Sequence, residues 1–262
     1  MTREWNSTAY HRLSDPQFGW GLKVLARLQT MPLRGDGHFL DAGCGTGRVT
    51  AALMEAFPKC TVSAMDSSAD MVNSARESLA KFGPRATVRV QDLAALDEDR
   101  QYDVIFSTAV FHWIKDHDRL FANLHRALKP GGLLLAQCGG GANLSRLRTR
   151  AVAQSRLPQF AQYFENMEDY SEFAGAEVTA DRLGRAGFVE IETSLEEAPT
   201  PMGDAETFGQ FIATINLQPF IKRLPEDMRD AFLAPIVAEA AQDSPPFTLD
   251  YWRLNIKGRR EG

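Results

Sequence analysis

Between Phe39 and Cys138, short apolar runs alternate with stretches of helical periodicity, a pattern that predicts successive βαβ units on a parallel sheet. The first strand is His38 to Ala42. The helix after it sets Val49, Ala52, Leu53, Ala56 and Phe57 on one face, at spacings of three and four, until Pro58 stops it. Strand two is Thr61 to Asp66. Ser68 stands as N-cap of a second helix with the buried stripe Met71, Val72, Ala75 and Leu79, which Gly83-Pro84 ends. Ala86 to about Gln91 makes strand three and Tyr102 to Thr108 strand four. Leu120, Phe121, Leu124 and Leu128 line a further helix, and strand five runs from Leu133 to Cys138 after Pro130-Gly131-Gly132.

Past residue 140 the rhythm breaks. Phe160, Tyr163, Phe164, Met167, Tyr170 and Phe173 crowd one segment, which reads as a cap facing substrate or as ordinary core. Thr179 is the expected N-cap of a short helix, Gly187 its stop, and Phe188 to Leu195 a sixth strand. Pro199 to Pro246 interrupts again, with Phe208, Phe211, Ile212 and Ile215 at helical spacing and an apolar helix over Phe232 to Ala240. Trp252, Leu254 and Ile256 then alternate with Tyr251, Arg253 and Asn255. That alternation predicts a half-buried last strand, paired antiparallel at the end of the sheet. The expected fold class is α/β: a doubly wound, seven-stranded, mostly parallel Rossmann-like sheet with an antiparallel last strand and a helical cap.

The chain has 262 residues and a net charge of -5, with 29 basic and 34 acidic side chains interspersed. That balance argues against nucleic acid, whose phosphates demand a basic footprint. Arg146, Arg148 and Arg150, like Lys257, Arg259 and Arg260 near the end, read in the first instance as solvated faces. There is no apolar run of membrane-spanning length, and Met1 to Trp5 lack the apolar core of a secretion signal, so the expected location is cytoplasmic, with no membrane partner. Cys44, Cys60 and Cys138 are odd in number, far apart and not at metal-ligand spacing, which implies neither disulfides nor a metal.

The chemistry gathers where strand one enters a helix through Asp41-Ala42-Gly43-Cys44-Gly45-Thr46-Gly47. Doubly wound sheets bind nucleotides at that turn, and glycines there let a ligand approach the backbone. The dinucleotide fingerprint wants a glycine where this chain has Arg48, which disfavours NAD and FAD. Strand two ends in Asp66-Ser67, a carboxylate suited to ribose hydroxyls. Strand three ends in Asp92-Leu93, a carboxylate for an exocyclic amine beside an apolar cover, and strand four in Ser107-Thr108-Ala109, facing the same crevice.

These positions, with Phe111-His112-Trp113 and the Leu128-Lys129-Pro130-Gly131-Gly132 turn, resemble the class I S-adenosylmethionine-dependent methyltransferases over roughly residues 38–138. Asp41, Gly43, Cys44 and Gly45 would then hold the methionine moiety, Asp66 and Ser67 the ribose, and Asp92 and Leu93 the adenine. Met71 would cover the ring or simply sit in the core, and Ser107 and Ala109 would line the same site. The whole chain is similar to the trans-aconitate methyltransferase branch, through Trp5, Tyr10, Gln17 and Trp20-Gly21 near the start, the segment Ser107 to Trp113, and a helical insertion over 204–241. The resemblance implies that Tyr10 and Gln17 close over the cofactor, while Trp113, with Trp20, walls the acceptor pocket. After strand five, Cys138-Gly139-Gly140-Gly141 departs from it, and Asn143, Arg146 and Arg148 are candidate substrate contacts.

The implied organisation is a lid over 1–30, an S-adenosylmethionine-binding core over 31–140, cap insertions over 141–178 and 199–247, and the sheet's end over 179–198 and 248–262. The implied reaction is methylation of a small molecule, yielding S-adenosylhomocysteine. A carboxylate acceptor, paired with Arg146 or Arg148, is ionised at neutral pH and needs no base. A hydroxyl or amine acceptor needs one, and His112 is the histidine near the strand ends. A non-catalytic sensor or partner subunit that binds S-adenosylmethionine would carry the same cofactor residues. Monomer and homodimer are equally compatible with the sequence.

Overall fold

The computed structural model describes residues 15–262. These residues divide into two compact units, one of residues 15–141, 171–195 and 254–262, the other of 142–170 and 196–253.

The first unit opens on α1 (Asp15–Gln29), whose buried Gly21, Val24, Leu25 and Leu28 recur at three and four residues. Then come β1 (His38–Ala42), α2 (Arg48–Ala56), β2 (Thr61–Asp66), α3 (Ala69–Leu79), β3 (Ala86–Val90) and β4 (Tyr102–Thr108). Next follow α4 (His117–Ala127) and β5 (Leu128–Gly139). Beyond the second unit's first segment the chain adds α6 (Ala176–Arg185) and β6 (Phe188–Glu197), and it ends in β7 (Trp252–Arg260). The strands form one mostly parallel sheet in the order β3-β2-β1-β4-β5-β7-β6, with the last strand antiparallel. β1 is central, flanked in parallel by β2 and β4.

Strand alternation splits the core into two layers. Phe39, Val62, Val104, Phe106 and Leu135 face one side with Leu28 of α1 and Leu53 and Met54 of α2. Leu40, Ile105, Leu134 and Ala136 face the other with Leu120, Phe121 and Leu124 of α4 and Leu183 of α6. Each fully buried side chain of this size contributes roughly 1.5–3 kcal/mol.

Three expectations change. Leu128 opens β5 and pairs with Tyr102, so the strand begins before the Pro-Gly-Gly turn rather than after it. Thr179 lies inside α6, which Gly175 caps; its hydroxyl donates back to the Gly175 carbonyl at 2.8 Å, the i−4 bond of a helical threonine. β7 is not at the sheet's end but between β5 and β6, and the alternation read as half-buried comes from polar residues that are themselves covered. Asn255 is 7 % exposed, its Oδ1 accepting from Gln137 Nε2 (2.8 Å) and Arg27 Nη1 (2.9 Å).

The second unit is helical: α5 (Ser145–Ser155), which precedes α6 in the chain, then α7 (Ala205–Phe211), a π turn over Ile212–Asn216, and α8 (Glu226–Ala240). The aromatic run supplies its core. Phe160 packs edge-on to Phe232 (5.3 Å between centroids), and Phe164 and Phe220 lie within 5.5–5.9 Å of the same ring.

Candidate active site

β1 delivers Asp41 to the carboxyl edge of the sheet, and the chain turns into α2 through Gly43 to Gly47. At Gly43 (φ 94°) an added Cβ would lie 2.1 Å from the Val110 side chain, so only glycine lets the turn approach the end of β4. Gly45 (φ 53°) differs, because nothing lies within 4 Å of where its Cβ would be. A side chain there would project into open crevice, the space a ligand would fill.

The loop's amides are wired to β2. Gly43 and Cys44 both donate to the Met65 carbonyl at 2.8 Å, and Gly45 donates to Asp66 Oδ2 at 3.0 Å. Asp66 Oδ1 accepts from the Ser68 amide at 2.9 Å. A pyrophosphate site needs such amides turned outward to the ligand. Here three in succession are spent inward, a physical reason against NAD and FAD that adds to Arg48 standing in a glycine's place.

Asp41, 2 % exposed, accepts the Thr50 hydroxyl at 2.6 Å. Burial, with the charge of Asp66 adding to it, pushes its carboxyl up to about 7. Asp41 lines the crevice and Asp66 stands behind the Gly45 amide, an acidic pair that suits a cationic, hydroxyl-bearing ligand. Gln17, Phe18, Arg48, Val49, Thr108 and Ala109 complete its walls. Gln17 Oε1 is buried and accepts no hydrogen bond among the described residues, so a donor group on a ligand would satisfy it. Ala109 holds φ 60°, left-handed for a residue with a Cβ, while its amide donates to the Gln137 carbonyl at 2.7 Å. Arg48 ties α1 to the loop: its guanidinium sits 4.2 Å over the Phe18 ring and donates to Asp15 at 3.1 Å.

Of the residues expected to bind cofactor, Gln17, Asp41, Gly43, Cys44, Gly45 and Ala109 line this crevice. Asp66 touches it through the Gly45 amide. Ser107 is buried and gives its hydroxyl to the Ala42 carbonyl at 2.6 Å; strand alternation puts Thr108 on the crevice instead. Asp92 is exposed and caps the short turn at Leu93 through the Ala94 amide (2.9 Å), while Leu93 and Met71 are buried among apolar neighbours. Ser67 and Trp20 are half-buried, and none of these residues from Ser67 to Leu93, nor Trp20, lines the crevice. Tyr10, like Trp5, lies outside the described residues. Phe18, Thr46, Arg48 and Val49 were missed, Arg48 having registered only as the wrong residue for a dinucleotide loop. Thr108, expected to face the crevice with its strand-four neighbours, lines it.

Past β4, Phe111-His112-Trp113 makes a single 3₁₀ turn. His112 is 7 % exposed, stacked on Phe173 at 5.5 Å and tilted against Trp113 at 4.6 Å. The Gly139 amide donates to His112 Nδ1 at 3.2 Å. A nitrogen that accepts from a peptide N–H carries no proton, so the neutral ring bears its hydrogen on Nε2. The ring's basic lone pair is thus already engaged. Protonating it would set two N–H groups against each other, a geometry that does not favour His112 as a general base.

In the second unit Asn143 is buried, its Oδ1 accepting from the Trp252 amide at 2.9 Å. Arg146 pairs with Asp243 (3.6 Å) and Asp250 (3.8 Å) and donates to the Thr248 carbonyl at 2.9 Å; Arg148 pairs with Asp169 at 2.7 Å. Neither arginine is a solvated bystander, and both forks are occupied by carboxylates of the chain itself. That removes the reason for assigning them to a substrate.

Comparison with known proteins agrees with this geometry. Residues 39–132 match the family described as methyltransferase domain. Trans-aconitate 2-methyltransferase of Variovorax paradoxus is 28% identical over 248 residues, covering 92% of this chain and 91% of that protein. The enzyme of the same name from Azoarcus sp. is 29% identical over 253 residues, with 92% and 91% covered. Among solved structures, Haemonchus contortus phosphoethanolamine N-methyltransferase 2, in complex with phosphomonomethylethanolamine and S-adenosylhomocysteine, superposes with a TM-score of 0.62 at 22% identity. That match takes in 98% of this chain, which spans only 57% of the nematode protein.

Proposed function

With the chain identified as a class I, S-adenosylmethionine-dependent methyltransferase, we propose that it methylates a carboxylate of a small organic acid bearing an apolar portion. The observation that carries this is the state of His112, whose Nδ1 is committed to the Gly139 amide. A hydroxyl or amine acceptor must lose a proton, and the one histidine placed near the strand ends is not set up to take it. A carboxyl group, with a pKa of roughly 4, has already lost its proton at neutral pH. The relatives named trans-aconitate 2-methyltransferase support the same acceptor class.

Bound S-adenosylmethionine supplies an electrophilic methyl group on a cationic sulfur. The chain's own part is to bind, align and exclude water. Asp41 and the open face of Gly45 would take the methionine end, with Gln17 Oε1 accepting from it. Asp66, which takes the Gly45 and Ser68 amides, would be the acceptor for the ribose hydroxyls. Trp113, beside the fixed His112 ring, would form an apolar wall for the acceptor.

The test is a library of organic acids incubated with the protein and S-adenosylmethionine, read by mass spectrometry for the gain of one CH₂, with the pH profile of any hit. The expected rate is nearly flat from about pH 6 to 9, since a carboxylate is ionised throughout. His112→Asn, which keeps an acceptor for the Gly139 amide, should leave the profile flat. A rate that climbs through the histidine range and vanishes in that variant would mean a hydroxyl or amine acceptor.

A further inference from the structure

The turn that carries His112 and Trp113 is held from outside by residues to which no role has been given. His117, 2 % exposed at the start of α4, has both ring nitrogens engaged. One lies 3.0 Å from the Phe111 carbonyl and the other 3.1 Å from Arg182 Nη1. Arginine only donates, so Nδ1 of His117 accepts and Nε2–H must be the donor to the carbonyl. Arg182, from α6, also sends both Nη atoms to Glu172 Oε1, each at 3.1 Å. The Glu172 amide closes the circuit by donating to the His112 carbonyl at 2.8 Å, and its neighbour Phe173 stacks on the His112 ring.

The 3₁₀ turn is therefore fixed at Phe111 O by His117, at His112 O by Glu172, and at the His112 ring by Gly139 and Phe173. Among the described residues, Arg182 joins the first two through His117 and Glu172. It sits 65 residues from His117 in sequence and on a different helix, so the circuit closes only in the folded sheet unit. It is also partly buried, its side chain 19 % exposed against 31 % for Glu172, which separates it from the open pair that Arg185 makes with Asp118 (61 % and 59 %) on the same two helices.

We propose that Arg182 and His117 are positioning residues for methyl transfer, holding the His112–Trp113 turn in register through Phe111 and Glu172 while touching neither cofactor nor acceptor. This rests on the turn being a wall of the acceptor pocket, as proposed above. The expected consequence is a loss of alignment rather than of affinity for cofactor.

Arg182→Gln, His117→Gln and the control Arg185→Gln would be compared for S-adenosylmethionine affinity, for kcat and KM on the acid found in the screen, and for the imidazole ¹⁵N signals of His112 in acceptor-free protein. Arg182→Gln should lower kcat by about ten- to a hundredfold, leave cofactor Kd within about twofold, and shift the His112 signals. Arg182→Lys should recover part of the rate, and Arg185→Gln should match the parent. His117→Gln retains a donor for the Phe111 carbonyl while loosening Arg182, so a milder loss with the same signature is expected. It also supplies the answer should Arg182→Gln fail to fold. Unchanged His112 signals in the folded variants would overturn the proposal, as would a loss confined to cofactor binding. If no acid is methylated, the acceptor assignment alone falls, because the His112 signals report on the circuit without any acceptor.

Discussion

Replacing Asp41 by Asn tests the electrostatics of the loop at its most buried point. The carboxyl is 2 % exposed, accepts a single side-chain hydrogen bond from Thr50, and faces Asp66 across the loop. Burial raises it from the ordinary carboxylate value of 3.8 to about 7. A raised carboxyl means that the folded protein holds this proton more tightly than the unfolded chain does. Between the unfolded value and about 7 the group therefore favours folding at the acid end, and that contribution is lost as pH rises. At 1.36 kcal/mol per unit, the loss between pH 5 and pH 8 comes to roughly 2–3 kcal/mol. Asparagine keeps an oxygen for Thr50 and cannot ionise. Urea unfolding of the cofactor-free protein, run for both forms at pH 5 and pH 8, should show the wild type losing about that much more stability than Asp41→Asn over the interval. Added S-adenosylmethionine should shrink the difference, since a cation beside Asp41 favours its charged form. Equal pH dependence in the two proteins would refute the reasoning and place Asp41 in a wetter site than the geometry shows.

Gly45→Val should abolish S-adenosylmethionine binding by calorimetry, because its Cβ direction is open crevice, while the left-handed φ of 53° costs the apo protein roughly 1–2 kcal/mol of stability. Gly43→Ala should instead destabilise the fold by roughly 2–4 kcal/mol, since its Cβ would lie 2.1 Å from the Val110 side chain at a left-handed φ; denaturant melts decide. Asp66→Ala should weaken cofactor binding by about 1.5 to 3 kcal/mol in titration calorimetry, from the lost acceptor for the ribose. Arg146→Ala should cost about 1 kcal/mol of stability and leave the acceptor KM unchanged, its fork being engaged with Asp243, Asp250 and Thr248; a rise in KM alone would return it to the substrate.

Periodicity was enough for the sheet because parallel strands buried on both faces read as unbroken apolar runs, and the strands from His38 to Thr108 lie where those runs do. It misled at β7, where Asn255 and Arg253 look like an outward face but are 7 % and 3 % exposed. A polar side chain satisfied by distant partners such as Gln137 and Arg27 leaves no local trace. The glycine loop was legible since its conformations demand glycine. The direction of its amides was not, because that depends on Met65 and Asp66 arriving beside it. Arg146 and Arg148 show the same limit from the other side: their guanidinium groups suggested a carboxylate, correctly, but the carboxylates belong to Asp243, Asp250 and Asp169.

What unites the carboxyl edge of the sheet is that its polar groups are committed to holding backbone. Ser107 bonds the Ala42 carbonyl, Thr50 bonds Asp41, Asp66 bonds two amides, His112 accepts from Gly139, and His117 is engaged at both nitrogens. A site that moved protons would need such a group poised at the acceptor; Asp41, raised to about 7, titrates near neutrality but would face the cofactor's cation, which favours its charged form. Burial and the neighbouring Arg182 hold the His117 ring below its ordinary value, which favours its neutral form. Displacement at a methyl carbon by an already ionised oxygen asks for none of that. It asks for a rigid line from acceptor to methyl to sulfur in a water-poor crevice, and rigidity is what these bonds supply. On the proposed carboxylate acceptor, selection among acids would fall to the apolar surfaces around the fixed turn, Trp113 and Phe173 first. Trp113→Ala should accordingly change which acids are methylated more than it changes the affinity for S-adenosylmethionine, and competition assays with acids of graded apolar size would show it.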